Sequence, residues 1–267
     1  MQRRHSGSIA CGVAALVLAL GIGRATRAVG ADLTPLETRY AEMLREHTRR
    51  VADVVGTRVD YRALDGDPRW QELVGELAAA RPDRLQRRDE KLAFWINSYN
   101  IAAIELVRQH YPVESIRDIG HLLRPVWSRE ALRIGGRAYK LGEIEHEILR
   151  PMEEPRIHAA IVCASTSCPS LSREPFRASA LDRQLDEAMH RFVASPGKGA
   201  RIDRAEGSIT LSRIFDWFEE DFEERGGVMA VVAAHLPDSD ARWLLAQGDA
   251  VRIEYFDYDW SLNDVAR

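Results

Sequence analysis

Residues 89–110 read DEKLAFWINSYNIAAIELVRQH. Apolar side chains occupy nearly every helical face of this stretch until Arg108, and Pro112 closes it. A helix that is apolar all round belongs in the middle of a protein, so the spacing predicts a central, mostly buried helix. Upstream, Thr34-Pro35-Leu36-Glu37 combines an N-cap, a first-turn proline and a capping-box glutamate, with Leu36, Tyr40, Met43, Leu44, Val51 and Val55 following at mostly helical spacing. Residues 59–61 are a short strand candidate, and Asp67-Pro68 starts a helix with Trp70, Leu73, Val74 and Leu77 inward. Downstream, residues 132–141 read as a hairpin turning at Gly135-Gly136, followed by a short helix over 142–149 that ends before Pro151. Residues 157–163 form an apolar, β-rich run and are expected to be a central strand. Then come a helix at 181–193, a strand at 208–211 and a Ser212-capped helix whose Phe215, Trp217, Phe218 and Phe222 read as core. Helical stretches at 228–236 and 241–247 lead to a last strand at 251–256. With no linker and no internal repeat, this is one α+β domain, its central helix packed on a small, mostly antiparallel sheet.

A chain of 267 residues with 45% hydrophobic side chains can bury roughly two-thirds to three-quarters of its unfolded surface, so disulfides are not needed to hold it together. Residues 1–31 carry Arg3, Arg4, Arg24 and Arg27, no acidic residue, and an apolar run over 9–22 that is too short to span a bilayer comfortably. Val29 and Ala31 sit at the −3 and −1 positions of a cut before Asp32. This is the pattern of a secretory signal peptide, which predicts a mature domain of 32–267 that is periplasmic or secreted. The 37 basic and 41 acidic residues give a net charge of −4, which falls to −8 without those four arginines. A chain so acidic is not expected to bind nucleic acid, nor a membrane once the signal peptide is removed.

Chemistry concentrates in residues 156–169, RIHAAIVCASTSCP. On a strand His158 and Cys163 point to opposite faces, whereas Cys168 lies beyond it, before Pro169. A thiol at the start of a helical turn there would have a lowered pKa, and His158 would face it if the loop folds back. Two readings stand side by side. In one, Cys168 is a nucleophile, His158 its base, and Asn97 or Asn100 an orienting amide or oxyanion donor, giving a thiol-dependent hydrolase or acyltransferase. In the other, Cys163 and Cys168 close a disulfide in a non-catalytic envelope binding module. Both amides also fit a purely structural role, satisfied by backbone groups. Glu143 and His146 have the i, i+3 spacing of carboxylate metal sites, but one copy without HExxH or paired Cys-x-x-Cys motifs is too little, so neither metal nor cofactor is expected. The absence of a Gly-rich phosphate loop after a strand and of a GxSxG elbow excludes nucleotide-binding and α/β-hydrolase readings.

Taken in order, VDY at 59–61, AFWINSYN at 93–100, YPVESI at 111–116, IEHEILR at 144–150, the 158–169 segment, LSRIFDW at 211–217 and YDWSLN at 258–263 resemble the signatures of the domain of unknown function 547 family. The resemblance covers about residues 59–263 and carries no settled activity. It groups the helix of Trp95, Asn97 and Asn100 with the segments of His146, His158, Cys163 and Cys168, and so adds Cys163, His146 and Trp95 as candidate binding residues. A helix on a sheet with Cys, His and an amide converging is similar to papain-like and transglutaminase-like architecture, although here the helix carries Asn where those folds carry Cys. The implied ligand is a small-molecule or peptide-like envelope substrate.

Overall fold

The computed structural model describes residues 33–121 and 124–267. The signal-peptide reading of residues 1–31 therefore lies outside the described residues.

The chain begins with α1 (Thr34–His47), which buries Leu36, Tyr40, Met43 and Leu44. The helix ends earlier than the spacing of Val51 and Val55 predicts. The Thr48 hydroxyl bonds back to Leu44 O, the backbone turns extended, and β1 (Thr48–Arg50) pairs antiparallel with β2 (Thr57–Val59). Asp60 and Asp67 then cap α2 (Tyr61–Asp65) and α3 (Pro68–Ala79) through their side chains, each satisfying an N-terminal amide that the helix cannot.

The expected central helix is α4 (Arg88–His110), with every residue from 92 to 107 buried. Its buried carboxylate, Glu105, is paired from two sides: Trp70 Nε1 donates to it at 2.6 Å and Arg108 Nε at 2.8 Å. Around α4 pack α2, the hairpin β3 (Glu130–Ile134) and β4 (Arg137–Lys140), and the helix that follows the hairpin. The hairpin turns at Gly135 and Gly136, both with positive φ as a two-residue hairpin loop requires. Behind it, α5 (Leu141–Glu143) runs directly into a π-helical turn, Ile144–Leu149, and on through a 3-10 turn, Arg150–Met152, that contains Pro151.

The largest departure from the sequence reading is at 157–163. No strand forms there: Pro155–Ala159 is a 3-10 helix capped by Glu154, and residues 161–163 follow without regular secondary structure. Asn100 takes the neighbour's place, accepting from Val162 N at 2.8 Å and donating to Ala160 O at 3.0 Å. An amide presents a donor and an acceptor side by side, so it satisfies two backbone groups as a paired strand would. Beta propensity is thus met by a side chain of α4 rather than by a ladder.

The remainder comprises α6 (Leu181–Val193), β5 (Ala200–Asp203), β6 (Ser208–Leu211), α7 (Arg213–Trp217), α8 (Val228–His235), α9 (Asp238–Gln247) and β7 (Arg252–Tyr255). The helix capped by Ser212 stops at Trp217 and resumes as a 3-10 segment, Glu219–Arg225, that buries Phe222. The class is α+β, but the sheet is divided: two hairpins and a three-stranded sheet β5-β6-β7, in which β6 and β7 are parallel. None of the helices is long and apolar enough to cross a membrane among the described residues.

Candidate functional site

The site is built on the loop 163–168. Ala164 holds a left-handed backbone (φ 64°), unusual for a residue with a Cβ, and Cys168 N closes a turn onto Ser165 O at 3.2 Å. The C-terminal segment fixes this shape: Thr166 N donates to Ser261 O at 2.8 Å, Asn263 N donates to Ala164 O at 2.9 Å, and Asp259 N donates to Ser167 Oγ at 2.9 Å. Asn263 is itself held by the buried Tyr61 hydroxyl at 2.7 Å. Chain segments about 200 residues apart in sequence thereby bring Tyr258 onto the cysteines.

Four groups converge on the buried Cys168 sulfur: Cys163 N at 3.2 Å, Ser165 Oγ at 3.2 Å, Tyr258 Oη at 3.3 Å and Cys163 Sγ at 2.7 Å. Both cysteines are free. Burial alone would raise the Cys168 thiol, but the hydrogen bonds from Cys163, Ser165 and Tyr258 outweigh it and lower its pKa. The same contact and burial push Cys163 well up, so of the two it is Cys163 that keeps its proton. Behind the loop, the buried Lys198 ammonium donates to Cys168 O at 2.7 Å and Val55 O at 2.9 Å. Burial pulls it down to about 8, against the attraction of Cys168 and Asp53. The expected helical turn after Pro169 does not form, so the lowered thiol pKa comes from these donors and not from a helix N-terminus.

Cys163 and Cys168 line a cavity of about 180 Å³. Its walls are aromatic: Tyr258 and Trp260 lie 4.5 Å apart, Trp217 stacks on Trp260 at 5.9 Å, and Trp127 meets Trp260 edge-on at 5.5 Å. The aromatic run read as core is therefore divided. Phe215 and Phe222 are buried, whereas Trp217, 46% exposed, and Phe218 form the wall.

His158, Glu145 and His146 also line the cavity. His158 is buried against Phe218, ring centroids 4.1 Å apart, and its Nε2 lies 2.6 Å from Asp221 Oδ2. Asp221 also accepts from Arg150 Nε and Nη2, at 2.7 and 2.8 Å. Burial opposes ionisation of Asp221, but the His158 and Arg150 hydrogen bonds prevail and hold its carboxyl well below the usual range. Burial lowers His158 despite Asp221. A neutral imidazole donating to an ionised carboxylate must carry its proton on Nε2, which leaves Nδ1 an acceptor. Glu145, on the π-helical turn, is buried with Tyr99 Oη 3.2 Å from Oε2, and burial pushes it up to about 7. His146, next along, is exposed on the cavity rim, 3.4 Å from Arg150 Nη1.

The sequence-derived candidates separate accordingly. Cys168, Cys163, His158 and His146 all line the one cavity, although no hydrogen bond joins His158 to either cysteine. Asn97 and Asn100 lie outside it, with both ends committed to backbone: Asn97 donates to Phe176 O at 2.8 Å and accepts from Phe176 N at 2.9 Å. Asn100 acts on the site through the 160–162 segment that leads into Cys163. Trp95 packs in the core against Phe94 and Tyr139, away from the cavity. Sequence reasoning missed Glu145, Asp221, Tyr258, Ser165 and Lys198 as parts of the site. Glu145 and Tyr258 fall in quoted signatures, but nothing in the sequence places Asp221 or Lys198 beside them. Among the described residues only Glu46, His47 and Asp67 bring three potential metal ligands within 4.8 Å, and Arg69 already binds both carboxylates there.

Set against known proteins, residues 82–193 match the family described as protein of unknown function, DUF547. The matched stretch runs from the turn before α4 through α6 and includes Cys163, Cys168, His146 and His158. No curated protein and no solved structure matches the chain. The papain-like analogy finds no support in these comparisons, and the cysteines stand on a loop rather than on the central helix.

Proposed function

We propose that this protein is a thiol-dependent hydrolase or acyltransferase in which Cys168 is the nucleophile. The observation that carries the reading is the donor set on its sulfur: one N–H, two hydroxyls and a neighbouring thiol. Such donors stabilise a thiolate, the reactive form. The thiolate attacks an acyl carbonyl carbon, a C–S bond forms, and the bond to the leaving group breaks. The neutral carboxyl of Glu145, near 7, gives the departing atom its proton. Water, or an acceptor nucleophile, held by Nδ1 of His158 then adds to the thioester. Its proton returns to Glu145, and the C–S bond breaks to restore the thiolate. Asp221 and Arg150 are positioning residues that fix the His158 tautomer. A cavity of about 180 Å³ with aromatic walls suits a small or narrow acyl group, such as the end of a peptide-like envelope substrate. Residues 1–31 direct the chain to the periplasm or beyond on this account, and N-terminal sequencing of the exported form tests that; a retained Met1 overturns it.

The test of the chemistry is to mix the protein with a panel of small activated esters and thioesters and measure intact mass on quenching. One acyl group mapped to Cys168, absent in Cys168→Ser and present in Cys163→Ser, is the expected result. Acylation elsewhere, or none across the panel, overturns it. A second reading, a binding module locked by a Cys163–Cys168 disulfide, is favoured by the 2.7 Å separation of the two sulfurs. It requires that neither thiol be alkylated before reduction.

A further inference from the structure

On another face of the molecule a groove of about 940 Å³ runs between α1, the β1–β2 turn, the loop after Cys168 and α6. It is lined by arginines in a chain whose net charge is negative. Arg177 and Arg183 are paired with Glu37 and Glu187. Arg45, Arg50, Arg173 and Arg191 make no ion pair among the described residues, and Glu174 is the one lining acid left without one, since Asp53 is taken by Arg58. The Arg173 guanidinium is oriented, but by neutral acceptors: Nε donates to Thr48 Oγ1 at 3.1 Å and Nη2 to Arg45 O at 3.0 Å. Its charge is therefore positioned and not neutralised.

The floor is tightly built. Gly56 has φ of +74°, and a Cβ there would meet Ser170 Oγ at 2.2 Å, so the turn seats on the loop only with glycine. Ser170 Oγ and Lys198 Nζ both donate to Val55 O, at 3.1 and 2.9 Å, and tie this floor to the back of the Cys168 loop. Desolvation by surrounding protein pushes the Arg191 guanidinium down from its ordinary value; Glu187 opposes that and Arg50 adds to it. Four like charges gathered in one concavity repel, and a ligand that brings several negative charges relieves that repulsion.

We propose that this groove is a binding site for a soluble ligand carrying several phosphate groups, separate from the Cys168 cavity. Phosphate oxygens match the planar guanidinium fork, and clustered phosphates deliver multiple charges over a short length. The chain's own residues 1–31, with four arginines and no acid, are unsuited to fill it.

The test is calorimetric titration of the full chain with sodium tripolyphosphate, using citrate as the carboxylate comparison and phosphatidylglycerol vesicles as the membrane comparison. Tripolyphosphate is expected to bind at one site, at least tenfold more tightly than citrate, and to weaken as salt is raised from 50 to 200 mM. The Arg50→Ala/Arg191→Ala double variant should lose at least tenfold in affinity with an unchanged melting temperature, while Arg252→Ala, on β7, should lose less than twofold. No heat with millimolar tripolyphosphate overturns the proposal, as does equal binding of citrate, an equal loss in Arg252→Ala, or binding to vesicles alone.

Discussion

Replacing Glu145 by Gln should stabilise the protein above neutral pH and do little in mild acid. In the folded chain burial moves the carboxyl midpoint from 4.5 to about 7. Between those values the unfolded chain releases the proton while the folded chain keeps it. The folded state binds more protons, so this group's contribution falls as pH rises from 4.5 to about 7, and the loss then persists. At about 1.4 kcal/mol per pH unit the full loss is about 3 kcal/mol. Gln has the same shape, cannot ionise, and still offers Tyr99 an oxygen. The variant should therefore exceed the wild type by about 3 kcal/mol at pH 8 but by less than about 1 kcal/mol at pH 5. Urea unfolding at both pH values measures the difference, and a gap that is the same at both would refute the assignment of a neutral, buried Glu145. The same substitution should abolish turnover if Glu145 is the proton donor, which separates its cost to the fold from its use in the reaction.

Asn100→Ala should cost about 2–4 kcal/mol, because it leaves Val162 N and Ala160 O buried without partners; the urea midpoint reads this, and thiol reactivity should change with it. Tyr258→Phe should raise the pH at which Cys168 alkylation titrates, since it removes a hydroxyl 3.3 Å from the sulfur. His158→Ala should slow deacylation of the thioester, the step in which its Nδ1 holds the attacking water, while His146→Ala, on the rim, should leave that rate nearly unchanged. Equal behaviour of the two histidine variants would remove His158 from the mechanism.

The elements that were legible in the sequence are those whose signals are local. The all-round apolar pattern of α4, the Gly135-Gly136 turn and the aspartate and proline caps each act within a few residues. The segment 157–163 misled because β-rich composition shows that a stretch wants its backbone paired, not what will pair with it. Here the partner is Asn100, some sixty residues away and on a helix. The site was legible in the same measure. Cys163, Cys168, His146 and His158 announce their chemistry by residue type and reach one cavity. Asp221 and Tyr258 arrive from the C-terminal third of the chain, and Glu145 acquires its role only from burial. Neither long-range convergence nor desolvation has a local sequence signature.

The central claim is that Cys168 is a free thiol held largely as thiolate. Its most direct test is the pH dependence of alkylation without reductant, resolved by peptide mapping so that each cysteine is followed separately. The account predicts single modification at Cys168 with a midpoint clearly below the value of about 8.5 for an ordinary cysteine, and Cys163 reacting only at higher pH. Failure of both cysteines to react before reduction, or a Cys168 midpoint at or above that of an ordinary thiol, would contradict it.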